Sequence, residues 1–398
     1  MSALLDRVRD LPAAGPLRRR LPDHPAVHVV GGAVRDLLLG GTPSDLDLVV
    51  EGDAAAVAAA LDGQQRAHDR FGTCTVLLDG FTYDLASART ETYERPGALP
   101  DVTGPATLDE DLRRRDFTVN AIALGLNGGV AGRMSAAPRA LEDLKARRLR
   151  VLHDRSFIDD PTRMLRLVRY ASRLDFAIES HTRGLIRPAA LKTVSGSRIG
   201  TELRLLAREP DPVAAFLCLR DLGLDRAIHV DFGLRDPEPA RRALALLPAD
   251  GRPDRLVLAE AGRDVPVDDL RRLLDHLGFD AVDREAIVAA ASGADDLARS
   301  LERATRPSEI AQAIGDAGPE LVALAGARGA AGPAQQWLIS LRHVKLEIDG
   351  TDLIAAGVAE GPSIGRGLRS ARAAKLDGRA PSREAQLSEA VRAARATE

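Results

Sequence analysis

The feature that most limits what this chain can fold into is a change of period near residue 138. Before it, short runs of apolar and β-branched residues are cut by glycine turns. After it, Ala, Leu, Arg and Glu recur at helical spacing, broken mainly by Pro and Gly. In the first part, Val27–Val30 and Leu46–Val50 read as strands, with Gly31-Gly32 and a helix over residues 34–39 between them. Residues 75–78 and 81–86 flank Asp79-Gly80, a two-residue connection suited to a type I′ hairpin, and residues 121–126 offer a further strand. A hairpin excludes a purely parallel sheet. The fold class is therefore α+β, a mixed or antiparallel sheet followed by an extended all-α remainder. Residues 1 to about 25 read as a short amphipathic helix closed by a Pro turn, and residues 210–212, 237–239, 248–253 and 329–333 read as helix connections.

The length of 398 residues predicts about two to three domains. Net charge is only −3, which hides any local basic stripe, and aromatic residues at 3% argue against binding by rows of stacked rings. Lys145, Lys192, Lys345 and Lys375 are the only lysines among 55 cationic residues, so arginines have to be judged position by position. Cys74 and Cys218 lie far apart in apolar surroundings and suggest neither a disulfide nor a metal site. With no apolar leader and no run of about 18 apolar residues, a cytoplasmic protein without a membrane is expected. The eight histidines are dispersed, and no protein partner is evident.

The chemistry-bearing residues start with Gly31-Gly32-Ala33-Val34-Arg35-Asp36 and Asp45-Leu46-Asp47. Residues two apart on a strand share a face, so Asp45 and Asp47 set two carboxylates side by side. Such a pair calls for counter-charge, and two Mg²⁺ ions sharing phosphate oxygens supply it. Glycines opening a helix let backbone N–H groups approach phosphate, and Arg35 adds a charge-assisted donor.

Together these segments resemble the nucleotidyltransferase signature of bacterial tRNA nucleotidyltransferases and poly(A) polymerases, class II of the polymerase-β-type superfamily. Three more stretches match in order. Phe71-Gly72-Thr73 and the run from Tyr83-Asp84 to Glu91 resemble the strand pair with a third carboxylate, here Asp84. Arg114-Arg115-Asp116-Phe117-Thr118-Val119-Asn120 is similar to the ribose-reading motif, with Val119 where Ile is usual. Asp159-Asp160-Pro161-Thr162-Arg163 resembles the base-selecting pattern, with Asp159 in place of Glu. In the helix that follows, Met164, Leu167, Val168, Ala171 and Leu174 fall on one arc and Arg166, Arg169 and Arg173 opposite, with Arg163 at the border. The first arc is expected to pack and the second to bind. Residues 142–150 and the segment Ser197-Arg198-Ile199 to Glu202-Leu203 read as structural motifs of the same family.

The resemblance is dense over residues 26–205 and again over 335–380, and absent from 215–330. It implies a polymerase-β-like catalytic palm over residues 1–140, a base-recognising helical neck over 141–214, a helical body over 215–330 and a tRNA-gripping tail over 331–398. It also implies template-independent addition of C and A to the tRNA 3′ end from CTP and ATP. Asp45 and Asp47 would hold the two Mg²⁺ ions, with Asp84 as third catalytic carboxylate. The implied nucleotide contacts are Gly31, Gly32, Arg35, Arg115, Asp116, Asn120, Asp160, Arg163, Arg166 and Arg169. Asp160 accepts and Arg163 donates, which suits the Watson–Crick edges of cytosine and adenine and opposes those of uracil and guanine. Partial CC-only or A-only addition, a poly(A) polymerase and a non-catalytic RNA-binding module remain the alternatives. The segment over residues 92–107 stands where the family carries the flexible loop that matters for the switch from C to A.

Overall fold

Each strand expected before residue 138 joins one seven-stranded sheet. The computed structural model describes residues 3–43, 45–68 and 73–396, the side chains of residues 67 and 68 excepted. Phe71 and Gly72, part of the third-carboxylate resemblance, lie outside the described residues. The chain divides into two units, Met1–Glu202 and Leu203–Glu398.

In the first unit the strands are β1 (Val27–Val30), β2 (Leu46–Val50), β3 (Gln64–His68), β4 (Thr73–Leu78), β5 (Phe81–Ser87), a short separate pair β6 (Thr90–Thr92) and β7 (Asp101–Thr103), β8 (Ile122–Gly125) and β9 (Met134–Ala136). The main sheet runs β3-β4-β5-β2-β1-β8-β9. It is mixed, because β2 and β5 pair in parallel while its other pairs are antiparallel. Strands β1 and β8 are buried at every position, as expected of central strands covered on both faces. The Asp79-Gly80 connection has positive φ at both residues, 50° and 84°, as a type I′ turn needs.

The helices of this unit are α1 (Ala3–Arg9), α2 (Ala14–Arg20), α3 (Gly32–Leu38), α4 (Ala54–Leu61), α5 (Leu108–Arg113), α6 (Ala140–Lys145), α7 (Ser156–Asp159), α8 (Thr162–Leu174) and α9 (Ser180–Gly184), and α10 (Gly196–Ala207) begins in it and ends in the second. The single N-terminal helix expected from the sequence is two, separated by a turn that contains Pro12. Strands β3 and β9 were not anticipated. Both lie at sheet edges, where pairing is made by backbone and leaves little apolar pattern. After residue 138 one two-residue parallel ladder, Arg148–Leu149 with Ala177–Ile178, interrupts the helical reading.

In the second unit every described element, from Pro212–Asp221 to Arg383–Arg395, is helical. Pro212, Pro237 and Pro253 each open a helix, where a missing N–H costs nothing. The break near residue 330 is a wide turn with Gly329 at φ 133°, after which Ala331–Ile339 continues.

One buried hydrogen bond fastens the N-terminal segment to the sheet. Tyr83 is fully buried on β5, and its hydroxyl donates to the Ala13 carbonyl at 2.6 Å, while burial pushes its pKa up to about 12. Tyr83→Phe removes that bond and keeps the ring. It is expected to lower stability by about 1 to 2 kcal/mol, read from the midpoint of urea unfolding.

Candidate active site

The sheet order brings carboxylates together from strands distant in sequence. Asp47 and Asp84 occupy one register position of the parallel pair β2 and β5, and Thr75 on β4 stands across from Asp84. On a strand otherwise buried, Asp47 is exposed, and so are Asp84 and Asp45, which immediately precedes β2. Thr75 Oγ1 donates to Asp84 Oδ1 at 2.6 Å, fixing that carboxylate. Partial desolvation raises the Asp47 pKa above its ordinary value of 3.8, Asp84 and Asp45 raise it further, and Arg115 opposes them.

Asp47 also lines a cleft of about 540 Å³ shared with Gly31, Gly32, Arg115, Asp116, Asn120, Asp160, Arg163 and Arg166. Gly31 sits at φ 65°, and a Cβ there would stand 3.1 Å from Arg115 Nη1, so the turn and the guanidinium both require glycine. Arg115 Nη2 donates to Asp111 Oδ2 at 3.0 Å, whereas its Nε is buried without a hydrogen-bond partner. Asp111, fully buried on α5, also takes two bonds from Arg114.

Asp116 is the most constrained carboxylate. Its Oδ1 accepts from Phe117 N at 2.8 Å and Asn120 Nδ2 at 3.0 Å, and its Oδ2 from Arg166 Nε at 2.9 Å and Nη2 at 2.6 Å. Burial alone would push its pKa up. The Arg166 guanidinium and the Asn120 amide outweigh burial and hold it at about 2.

At the start of α8, Asp160 Oδ1 accepts from Thr162 N at 3.0 Å and Thr162 Oγ1 at 2.6 Å. Arg163 donates from Nη1 to Ser156 Oγ at 2.9 Å and from Nη2 to the Arg114 carbonyl at 2.8 Å.

The arginine arc of α8 is not uniformly free to bind. Arg169 is buried, bonded to Glu202 Oε2 at 3.0 Å, and is not among the cleft residues. Arg35 is likewise buried, donating to Asp36 and to Asn120 Oδ1, and it too lies off the cleft lining. Both guanidinium groups sit over the Tyr170 ring, at 5.4 Å for Arg35 and 5.3 Å for Arg169, and Arg166 joins them at 5.7 Å. Asp84 borders an adjoining groove with Asp47, Thr75 and Arg115.

Sequence reasoning missed Arg89, Glu91, Tyr93, Tyr170, Arg198 and Glu202, all of which line the cleft. Tyr93 donates to Glu91 Oε2 at 3.1 Å, and desolvation raises its pKa to about 12. Glu202 and Arg198 share α10, a segment whose sequence reads as structural. The available signal was their four-residue spacing, which sets both on one helix face.

A family profile for the poly A polymerase head domain matches residues 27–150. An A-adding tRNA nucleotidyltransferase of Geobacter sulfurreducens is 44% identical over 217 residues, covering 52% of this chain and 24% of that protein. This chain spans less than half the length of the first curated relatives it matches. A CC-adding tRNA nucleotidyltransferase of Deinococcus radiodurans is 33% identical over 88% of this chain and 85% of its own. Among solved structures, a CCA-adding enzyme in complex with CTP superposes with a TM-score of 0.79 at 28% identity, over 99% of this chain and 98% of the other. The N-terminal sheet and the long helical region after it are thus those of a polymerase-β-type nucleotidyltransferase. The chain belongs to the tRNA nucleotidyltransferase family. Nucleotidyltransferases of this family generally use divalent metal ions. No described helix is long and apolar enough to cross a membrane.

Asp116→Asn breaks the pair with Arg166 and is expected to cost about 2 to 3 kcal/mol of stability at pH 7, read by denaturant unfolding. A carboxylate whose folded pKa is depressed stabilises above its unfolded value and loses that contribution as pH falls. The gap between parent and variant should therefore shrink between about pH 4 and pH 2, the range from the ordinary value of 3.8 to the folded value of about 2.

Proposed function

We propose that this protein adds C and A to the 3′ end of tRNA without a template, using CTP and ATP. The observation that carries the reading is the register pairing of Asp47 with Asp84 beside a cleft that Asp160 and Arg163 also line. The terminal tRNA hydroxyl forms a bond to the α-phosphorus, the bond to the β-phosphate bridge breaks, and pyrophosphate leaves.

The donor set suits hard cations, and we take these to be two Mg²⁺ ions on Asp45 and Asp47. Among the described residues no three His, Cys, Asp or Glu side chains form a self-sufficient metal site. Carboxylates that fill only part of a shell leave positions for phosphate oxygens, as Mg²⁺ prefers. When bound, the ions activate the attacking hydroxyl and offset charge on the leaving oxygens. Asp84, steadied by Thr75, accepts the hydroxyl proton. The Gly31-Gly32 backbone and Arg115, with its unsatisfied Nε, meet the phosphates. Asp116 reads the ribose together with Asn120 and Arg166. Its oxygens already take four hydrogen bonds, so a sugar hydroxyl shares an oxygen with one of those donors. Arg35 and Arg169 act from behind, as supports stacked on Tyr170.

Asp160 accepts the exocyclic amino group of cytosine or adenine, and Arg163 donates to the ring nitrogen. Uracil and guanine would face donor to donor, at a cost of about 1 to 3 kcal/mol. In this reading residues 1–140 are the catalytic head, 141–214 the neck, 215–330 a body and 331–398 a tail that holds tRNA, in the cytoplasm. Within that tail Asp349 caps the helix Gly350–Ala355.

Partial addition is the second reading, favoured by the A-adding and CC-adding relatives. The test offers tRNA transcripts lacking CCA, ending in CC, or complete, each with labelled CTP or ATP and Mg²⁺. Two C residues and then A are expected. C without A selects the partial reaction, and no incorporation on any transcript overturns the enzyme reading. Asp47→Asn is expected to lower transfer by roughly a thousandfold while leaving tRNA binding intact in a filter assay.

A further inference from the structure

A buried histidine connects the far end of the sheet to the phosphate side of the cleft. His28, on β1, is 2% exposed and stands across from Val49 of β2, so its side chain shares a face with Val49 and Asp47. Glu51, which immediately follows β2, falls on that face by the same alternation. His28 Nε2 is 2.9 Å from Glu51 Oε1, and Glu51 Oε2 accepts from Leu108 N, the first residue of α5, at 3.1 Å. Burial pushes the His28 pKa below its ordinary 6.5, with the bond to Glu51 opposing the shift and Arg133 adding to it. The ring is therefore neutral at pH 7, and because a carboxylate only accepts, the proton sits on Nε2. Its Nδ1 is buried without a hydrogen-bond partner among the described residues. An unpaired ring nitrogen costs stability that an apolar side chain would not, so the bond to Glu51 is what the histidine contributes here.

Helix α5 carries that contact into the cleft. Leu108 and Leu112 pack with Val30 and Val49 in one buried cluster, which seats the helix on the Asp47 face. One turn beyond Leu108, Asp111 is fully buried, and its two oxygens hold Arg114 at 2.6 Å and Arg115 at 3.0 Å. Arg115 lines the cleft with Asp47 and Gly31. A helix of six residues has little stability of its own, so the anchor on its first N–H sets where Asp111 delivers the two guanidinium groups. We propose that His28 and Glu51 are positioning residues for the phosphates of the nucleotide. The neutral imidazole fixes the Glu51 carboxylate, the carboxylate fixes the start of α5, and α5 aims Arg115 through Asp111. The inference rests on the reading of Arg115 as a phosphate contact. Since the pair acts on phosphate and not on the base, it affects CTP and ATP alike.

The experiment is equilibrium dialysis with labelled CTP or ATP and Mg²⁺, and displacement of the label by inorganic pyrophosphate. It compares the parent with His28→Phe, His28→Gln, Glu51→Ala, Arg115→Ala and Glu51→Ala combined with Arg115→Ala. His28→Phe and Glu51→Ala are expected to weaken CTP, ATP and pyrophosphate by one common factor of about fivefold, with binding stoichiometry unchanged. His28→Gln, which can still donate to Glu51, is expected to bind within about twofold of the parent. With Arg115 already alanine, Glu51→Ala should add little further loss, because its route to the phosphates is cut. The positioning role is overturned if the constants of His28→Phe and Glu51→Ala equal those of the parent, or if His28→Gln binds as poorly as His28→Phe. It is also overturned if Glu51→Ala costs the same factor whether or not Arg115 is present, or if the loss shows only as a smaller fraction of binding-competent protein. The pair then supports the sheet and nothing more. A parent that binds CTP but adds no nucleotide to any tRNA transcript overturns the tRNA reading, and the dialysis constants still judge the pair. A parent that binds neither nucleotide overturns both.

Discussion

Asp116 accepts hydrogen bonds from two directions, and the cleft depends on their meeting at one carboxylate. The turn that follows it supplies Phe117 N and the Asn120 amide, while α8 supplies the two prongs of Arg166. Without that carboxylate the Arg166 guanidinium would lose its nearer counter-charge and be left to Glu202, at 3.7 Å, beside Arg35 and Arg169, which crowd the same tyrosine ring. The arginines in and behind the cleft are held apart in the same way elsewhere: Asp111 anchors Arg114 and Arg115, Glu202 anchors the buried Arg169, and Asp160 anchors Arg198. A near-neutral chain can in this way keep a dense set of cations at one site, several oriented by an acid and Arg163 by Ser156 Oγ and the Arg114 carbonyl.

How far the sequence carried depended on whether a signal was local. The strand, glycine turn, helix and strand over residues 27–50 were readable because each piece announces itself within a few residues. The Asp79-Gly80 hairpin was readable for the same reason. Strands β3 and β9 were not, because an edge strand can be as polar as Gln64-Gln65-Arg66 and still pair through its backbone. The pairing of β2 with β5 was also beyond reach, since parallel neighbours are joined by intervening elements and no sequence period records their register.

Among the candidate site residues the difference lay in burial. Helical phase placed Arg163, Arg166 and Arg169 correctly around α8, but phase alone does not say which guanidinium meets solvent. Glu202 lies 33 residues from Arg169, and their bond turns a candidate ligand contact into an internal support. Arg198 went the other way. It sat in a stretch read as scaffolding, and only its two acceptors, each far away in sequence, mark it as part of the cleft.

The placement of Asp47 and Asp84 at one rung of a parallel ladder has a consequence for how such a protein can change. The separation of those carboxylates is set by the spacing of adjacent strands, about 4.8 Å, and by no loop. The groups proposed to select the base, Asp160 and Arg163, hang instead from a helix start. Substitutions among the latter can retune which base is preferred while the ruler that spaces the carboxylates keeps its calibration. Chemistry and choice are therefore free to diverge at different rates within a single cleft.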